Sequence, residues 1–282
     1  MKYYQLLLFL FSCTFTFAQD DLLNEIETET IDSITFEQPA FKAMKIGNLQ
    51  STKVGGKGDF YMYISHRFGS LKDGWETFFG LDNANTKIQL VYALFDGFQI
   101  GISRESWRKT YAGSTKIRIK EQKDNFPINI SAYGTFNVNT QVSTELYPEI
   151  TGSDRMSYAA QFLFSKRIKK LSLELAPTYV RQNLVYNVNQ DHNQYVLGIG
   201  GRYKVSKRMS VNIDYSYNFS RASDSDFKDP LTVGLDIETG GHVFQLLFTN
   251  AQSTNEPGFM SYAEGDWSTG DIFFGFNIVR VF

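Results

Sequence analysis

Three histidines, His66, His192 and His242, and one cysteine, Cys13, are the side chains of this 282-residue chain best suited to hold a metal or carry a nucleophilic step. Their spacing favours neither. A metal needs several converging ligands, and none of the three histidines has another at i+2 or i+4. His66 follows Ser65, but successive strand residues point to opposite faces, so the two cannot act as base and nucleophile. His192 beside Asp191 is the Asp-His pair that a hydrolase at a barrel rim would want, and in a loop such a pair is ordinarily incidental. Asn187 to Asp191, and Asp224 and Asp226 with Asp229, supply oxygens for calcium without the central glycine and final glutamate of a calcium loop. Solvated loop acidity is the plainer account. The expectation is no catalytic residue, no metal and no cofactor.

Charge excludes another class. Lys and Arg number 28 against 30 Asp and Glu, a formal net of −2, so the basic surplus that nucleic-acid binding needs is missing. Aromatics are abundant (25 Phe, 16 Tyr), yet mean hydropathy is negative. Strands that show apolar side chains to one side and polar ones to the other give such a mixture.

Residues 1–18 read as a secretory signal: Lys2, an apolar core from Leu6 to Phe11, then Thr16-Phe17-Ala18 before cleavage at Gln19. Leu10 to Cys13 resembles a lipoprotein cleavage box, although Phe11 fits it poorly. With ordinary cleavage the exported chain keeps no cysteine, which excludes disulfides and thiol chemistry. No later stretch holds 18 consecutive apolar residues, as a membrane-spanning helix requires. Residues 19–57, acidic at first, read as a periplasmic lead-in with a short strand near Phe41 to Ile46.

From residue 58 to the end the period is two. Met209, Val211, Ile213, Tyr215, Tyr217 and Phe219 alternate with Ser210, Asn212, Asp214, Ser216 and Asn218. The template recurs about twelve times: 58–68, 86–95, 98–105, 111–121, 126–139, 155–165, 171–182, 194–205, 209–220, 231–239, 242–251 and 271–282. Most of these runs have nine to fourteen residues, the length of tilted membrane strands rather than of soluble ones. The odd-numbered connections are longer and the even-numbered ones short, Asp96-Gly97 being a favoured two-residue hairpin turn. Long loops therefore gather at one rim and tight turns at the other. The fold class expected is all-β: an antiparallel up-and-down transmembrane β-barrel, 58–282, of about twelve strands in the outer membrane.

Alternation then assigns faces. Arg67, Lys87, Lys116, Arg118 and Lys120 point into the lumen, as do Glu174, Asp214, Asp236 and Glu238. With strand four opposite strand ten, basic and acidic walls should confront one another across the lumen, either selecting ions or closing the barrel by salt bridges. Trp75, Trp107 and Trp267 fall in or beside the long loops, as rim aromatics of an interfacial girdle do, or as a stacking platform for a sugar. Two loops, 69–85 and 252–270, are apolar enough to fold inward.

Three stretches carry a likeness to a known family: Ile64 to Gly69 (ISHRFG), Phe78 to Ile88 (FFGLDNANTKI) and Phe274 to Phe282 (FGFNIVRVF). They resemble a bacterial family described as a membrane-bound β-barrel domain of unknown function, and the resemblance runs from about Phe41 to the end. It implies the fold and no activity. The terminal Phe282 also resembles the signal by which barrel-assembly machinery recognises its clients, with Arg280 interrupting the alternation before it.

The expected partners are thus outer-membrane lipid, barrel-assembly machinery and a periplasmic protein met through residues 20–56. Two functions stay open: a porin-like or diffusive channel for small polar solutes, and a non-conducting barrel that anchors envelope partners.

Overall fold

The computed structural model describes residues 39–282 apart from 124, 144 and 146. The signal-sequence reading of 1–18 lies outside the described residues, as does the start of the lead-in. Twelve strands follow in order: β1 (Phe60–Ser70), β2 (Ala84–Phe95), β3 (Phe98–Glu105), β4 (Thr110–Lys120), β5 (Asn129–Asn139), β6 (Met156–Ile168), β7 (Leu171–Gln182), β8 (Asn193–Lys204), β9 (Met209–Asn218), β10 (Leu231–Thr239), β11 (His242–Thr249) and β12 (Phe273–Val281). Each pairs antiparallel with the next, and β12 pairs back onto β1 to close the barrel. Closure leaves no edge of unpaired amides, the condition for a sheet surrounded by hydrocarbon.

Burial alternates as the sequence pattern requires. Along β9, Val211, Ile213 and Tyr217 are exposed outward, while Ser210, Asn212, Asp214 and Ser216 are buried inward. The outer belt continues through Ile88, Ile100, Ile102, Ile117, Phe162, Leu175 and Ile199. In water such a belt would cost about 25 cal/mol for each Å² left wet, so it is a surface for acyl chains. Phe60 and Phe282 pair at one end of the barrel, and Tyr179 with Tyr195 and Tyr217 with Phe219 at the other. Aromatics at both ends mark the two interfaces.

The tight connections at Asp96-Gly97, 121–128, 169–170, 205–208 and 240–241 share one rim. Gly97 and Gly241 take φ of +83° and +76°, which their turns require. The other rim carries 71–83, 106–109, 140–155, 183–192, 219–230 and 250–272. The connection after β3 is the shortest there and that after β4 the longest on the tight side, so the alternation is clear but not perfect.

Two segments fill the barrel. Residues 39–57, the described part of the expected lead-in, are not outside it. They climb into the lumen from the tight-turn rim, reverse at Gly47-Asn48 and descend again. One bridge, Lys45 with Gln50, and the bonds from Ile46 N to Leu49 O and Ser51 N to Met44 O hold this hairpin; no strand forms near Phe41 to Ile46. From the opposite rim the chain after β11 folds inward as a short helix, α1 (Glu256–Ser261), with all six residues buried. Asn255 caps its start by accepting from the Gly258 N–H at 2.8 Å.

Candidate functional site

The inner wall meets the hairpin largely through polar side chains placed by the period-two pattern. Lys116 on β4 donates from Nζ to the carbonyls of Ser51 (2.9 Å), Met44 (3.2 Å) and Lys53 (3.4 Å). Glu174 on β7 accepts from the Thr52 N–H at 2.9 Å, and Asp214 on β9 from the Asn48 N–H at 3.1 Å. Arg67 on β1 donates to Asn48 Oδ1 at 2.6 Å and Gln245 on β11 to the Ile46 carbonyl at 2.9 Å. A chain lacking sheet partners thus has its amides and carbonyls satisfied by the barrel.

The wall is also shaped for the hairpin. Gly198 and Gly200 on β8 face inward, and a Cβ at Gly200 would lie 2.3 Å from Ile46 Cδ1; one at Gly198 would lie 2.7 Å from Leu49 Cδ1. Around them the lumen is apolar. Ala159, Leu163, Ala176, Val180 and Val196 of the wall join Phe41, Ile46 and Leu49 of the hairpin and Phe259 and Met260 of α1 in one buried cluster.

Hairpin and helix lock together at Lys45 and Glu256. The ammonium lies 3.4 Å from Glu256 Oε1 and donates to the Thr254 carbonyl at 2.6 Å; Gln50 donates to the same carboxylate at 2.8 Å and Tyr133 to its other oxygen at 3.1 Å. Burial alone would push the Glu256 carboxyl up, but Lys45, Lys87 and the Gln50 amide outweigh it and hold it near 2. Burial pushes the Lys45 ammonium down to about 8, against the pull of Glu256. Glu105, at the end of β3, fixes the approach to α1 by accepting from the N–H and hydroxyl of Thr254 and from the Asn255 amide.

Little space is left. Between the hairpin and the β1–β5 wall remains a cavity of about 10 Å³, room for roughly one water. A second, of about 30 Å³, lies beside α1 under Trp107, Arg108, Tyr186 and Tyr262. Among the described residues the hairpin and α1 occupy the lumen at these depths, and an open polar hollow of about 490 Å³ remains at the long-loop rim between Ser70, Asn85, Gln252 and Asp271.

Arg67, Lys87, Lys116, Glu174, Asp214 and Asp236 are buried inside the barrel, and Glu238 is largely so. Two of the nine expected lumen charges behave otherwise. A bulge between Arg118 and Lys120 sets Lys120 opposite the outward-facing Ile130, turning it to the outer face. Arg118 sits at the tight-turn mouth, paired with Glu121. Nor do basic and acidic walls confront each other directly: the hairpin stands between Lys116 and Glu174, and Asp236 and Glu238 pair with Arg202 on nearby β8. Arg202 and Glu105 escaped the sequence reading. The inward alternation of Gln194, Val196, Gly198 and Gly200 could have revealed the first.

The tryptophans divide. Trp75 is 77% exposed, stacked edge-on to Phe79, and its loop does not fold inward. Trp267 is half-buried and donates to the Leu231 carbonyl. Trp107 is 8% exposed and is no girdle residue: with Tyr186 and Tyr262 it encloses the Arg108 guanidinium at 4.1–4.4 Å, beside α1. Of the candidate calcium groups, Asp224 accepts from Asn187 and Asn189, and Asp229 pairs with Arg221. His66 stacks on Phe276, and His192 bonds the Gln182 carbonyl.

The family model described as "Membrane bound beta barrel domain (DUF5777)" matches residues 41–282. No curated protein sequence matches the chain. Among solved structures, the NanC porin aligns at 8% identity over 78% of this chain and 98% of its own, with a TM-score of 0.50. The KdgM porin aligns at 10% over 79% and 99% (TM-score 0.49), and an outer membrane channel from Pseudomonas putida F1 at 14% over 82% and 98% (TM-score 0.49). At these identities the likeness is one of fold.

Proposed function

The chain belongs to the family of membrane-bound β-barrel domains, and from that premise we propose that it is a gated, porin-like channel of the outer membrane for small polar solutes. The hairpin 39–57 is its gate. One observation carries this reading: on the charged side of the lumen the hairpin is held by wall side chains that water can satisfy equally well. Lys116, Glu174, Asp214 and Arg67 bond its backbone and side chains. Were the hairpin to withdraw, these groups would line a hydrated, weakly charge-selective passage. The family match begins at Phe41, so it takes in most of the hairpin. Deleting 39–57 tests the proposal in planar bilayers: steady single-channel steps are expected where the full chain is mostly silent, and a silent deletion variant removes the channel reading.

The filled lumen favours a second reading, a non-conducting barrel that anchors an envelope partner. Residues 40–55 are buried or half-buried, so that contact would fall to 20–38, and deleting those residues should then abolish partner binding alone. In either reading Phe282, bonded from its N–H to the Phe60 carbonyl at 2.9 Å, is the signal for the barrel-assembly machinery.

A further inference from the structure

The barrel wall has a flaw in mid-strand where β6 meets β7. Between β6 and β7 the register runs to Gln161–Thr178 and resumes at Phe164–Leu175. Pro177 lies opposite Phe162 in the gap and has no N–H to give the Phe162 carbonyl. A proline inside a sheet normally keeps to an edge or a bulge, and this barrel has no edge.

On the bilayer side of the same place is a groove of about 520 Å³, lined by Ala132, Ala160, Phe162, Pro177, Tyr179 and Leu197. Small residues make it: Ala132 and Ala160 stand where neighbouring strands carry Phe, Tyr, Leu and Ile, and Pro177 forms its floor. It is an open depression, reached from the bilayer along its length. Its exposed lining is mostly apolar, as an acyl chain requires. Four residues along β7 from Pro177, on the same outward face and roughly 13 Å toward the long-loop rim, stands Arg181. Asn183 Oδ1 and Asn193 Oδ1 hold its guanidinium at 3.1 and 3.0 Å, and the Tyr179 hydroxyl donates to the same Asn193 oxygen at 2.7 Å.

We propose that this groove is a lipid-binding site: an acyl chain of an anionic, phosphate-bearing lipid of the leaflet at the long-loop rim lies against Pro177, with its phosphate at Arg181. Apolar groove and fixed cation stand one chain-length apart on a surface that opens to the bilayer, which suits an amphiphile whose charge sits at one end. A fixed guanidinium binds phosphate through charge-assisted hydrogen bonds. The site does not depend on the channel reading, since it lies on the outside of the wall.

The test uses the full chain in phosphatidylcholine nanodiscs doped with phosphatidylglycerol that carries a diazirine on one acyl chain. Labelling should concentrate at Ala160, Phe162 and Pro177 over the equally lipid-exposed Ile100 and Ile213. It should saturate, and unlabelled phosphatidylglycerol should compete while phosphatidylcholine does not. Arg181→Gln should weaken that competition about tenfold. Ala160→Phe, which fills the groove, should abolish the saturable labelling while the barrel keeps its heat-modifiable mobility. Labelling spread evenly over the belt, or competed equally by both lipids, would overturn the proposal.

Discussion

Lys45 and Glu256, one on the inserted hairpin and one at the start of α1, meet 3.4 Å apart in the interior of the barrel with both side chains almost wholly buried. The two segments enter from opposite rims, so this pair joins the lower half of the filling to the upper. Removing one partner of a buried ion pair costs about 3–5 kcal/mol, because it strands the other, whereas replacing both with apolar side chains is often neutral. Glu256→Gln or Lys45→Met should therefore raise the open fraction in bilayer recordings. The double variant Lys45→Met/Glu256→Met should return most of the way to the closed state. If the single and double variants behave alike, the pair does not hold the gate.

Acid should act through the same carboxylate. Its value in the closed state, about 2, lies below the ordinary 4.5 that it regains once released. A depressed carboxylate stabilises the closed state fully above 4.5 and loses that contribution as pH falls toward 2, about 3 kcal/mol in all. Channel openings should accordingly become more frequent as pH drops below about 4.5, and Glu256→Gln should flatten that dependence. Recordings across pH 3 to 7 measure it.

The glycines of β8 offer a steric handle. A side chain at Gly200 would run into Ile46, and overpacking of this kind costs about 1–3 kcal/mol. Gly200→Phe should expel the hairpin, leaving residues 39–57 open to added protease while the barrel itself survives. A hairpin as resistant as in the unaltered protein would count against its place beside β8.

Much of this was legible in the sequence because a barrel strand advertises itself. β3, β7 and β10 have the ends that the alternation predicts, since strands with one face in lipid and one in the lumen leave no freedom of register. The inward direction of Lys116 and Asp214 followed from the same rule. What they face did not. Phe41, Ile46 and Leu49 are too few and too irregular to declare an inserted hairpin, whose bonds are made to side chains far along the chain. Glu105 and its partners at 254–255 were invisible for the same reason. Lys120 was misassigned because a bulge reverses alternation without marking the sequence.

The long-loop rim can be checked by fluorescence. Trp75 is 77% exposed and Trp107 8%. Iodide should quench emission that Trp75→Phe removes, and Trp107→Phe should leave the quenchable fraction nearly unchanged. The reverse result would contradict the exposure of Trp75 and the burial of Trp107.

The gate itself is tested most directly by tying it shut. Asn48 Nδ2 at the hairpin tip lies 3.1 Å from Thr249 Oγ1 on the wall, and the sequence holds one other cysteine, at position 13. An Asn48→Cys/Thr249→Cys protein, its disulfide verified by mass, should be silent in planar bilayers while oxidised and should show single-channel openings once reduced. Equal conductance in the two states would contradict a channel gated by residues 39–57.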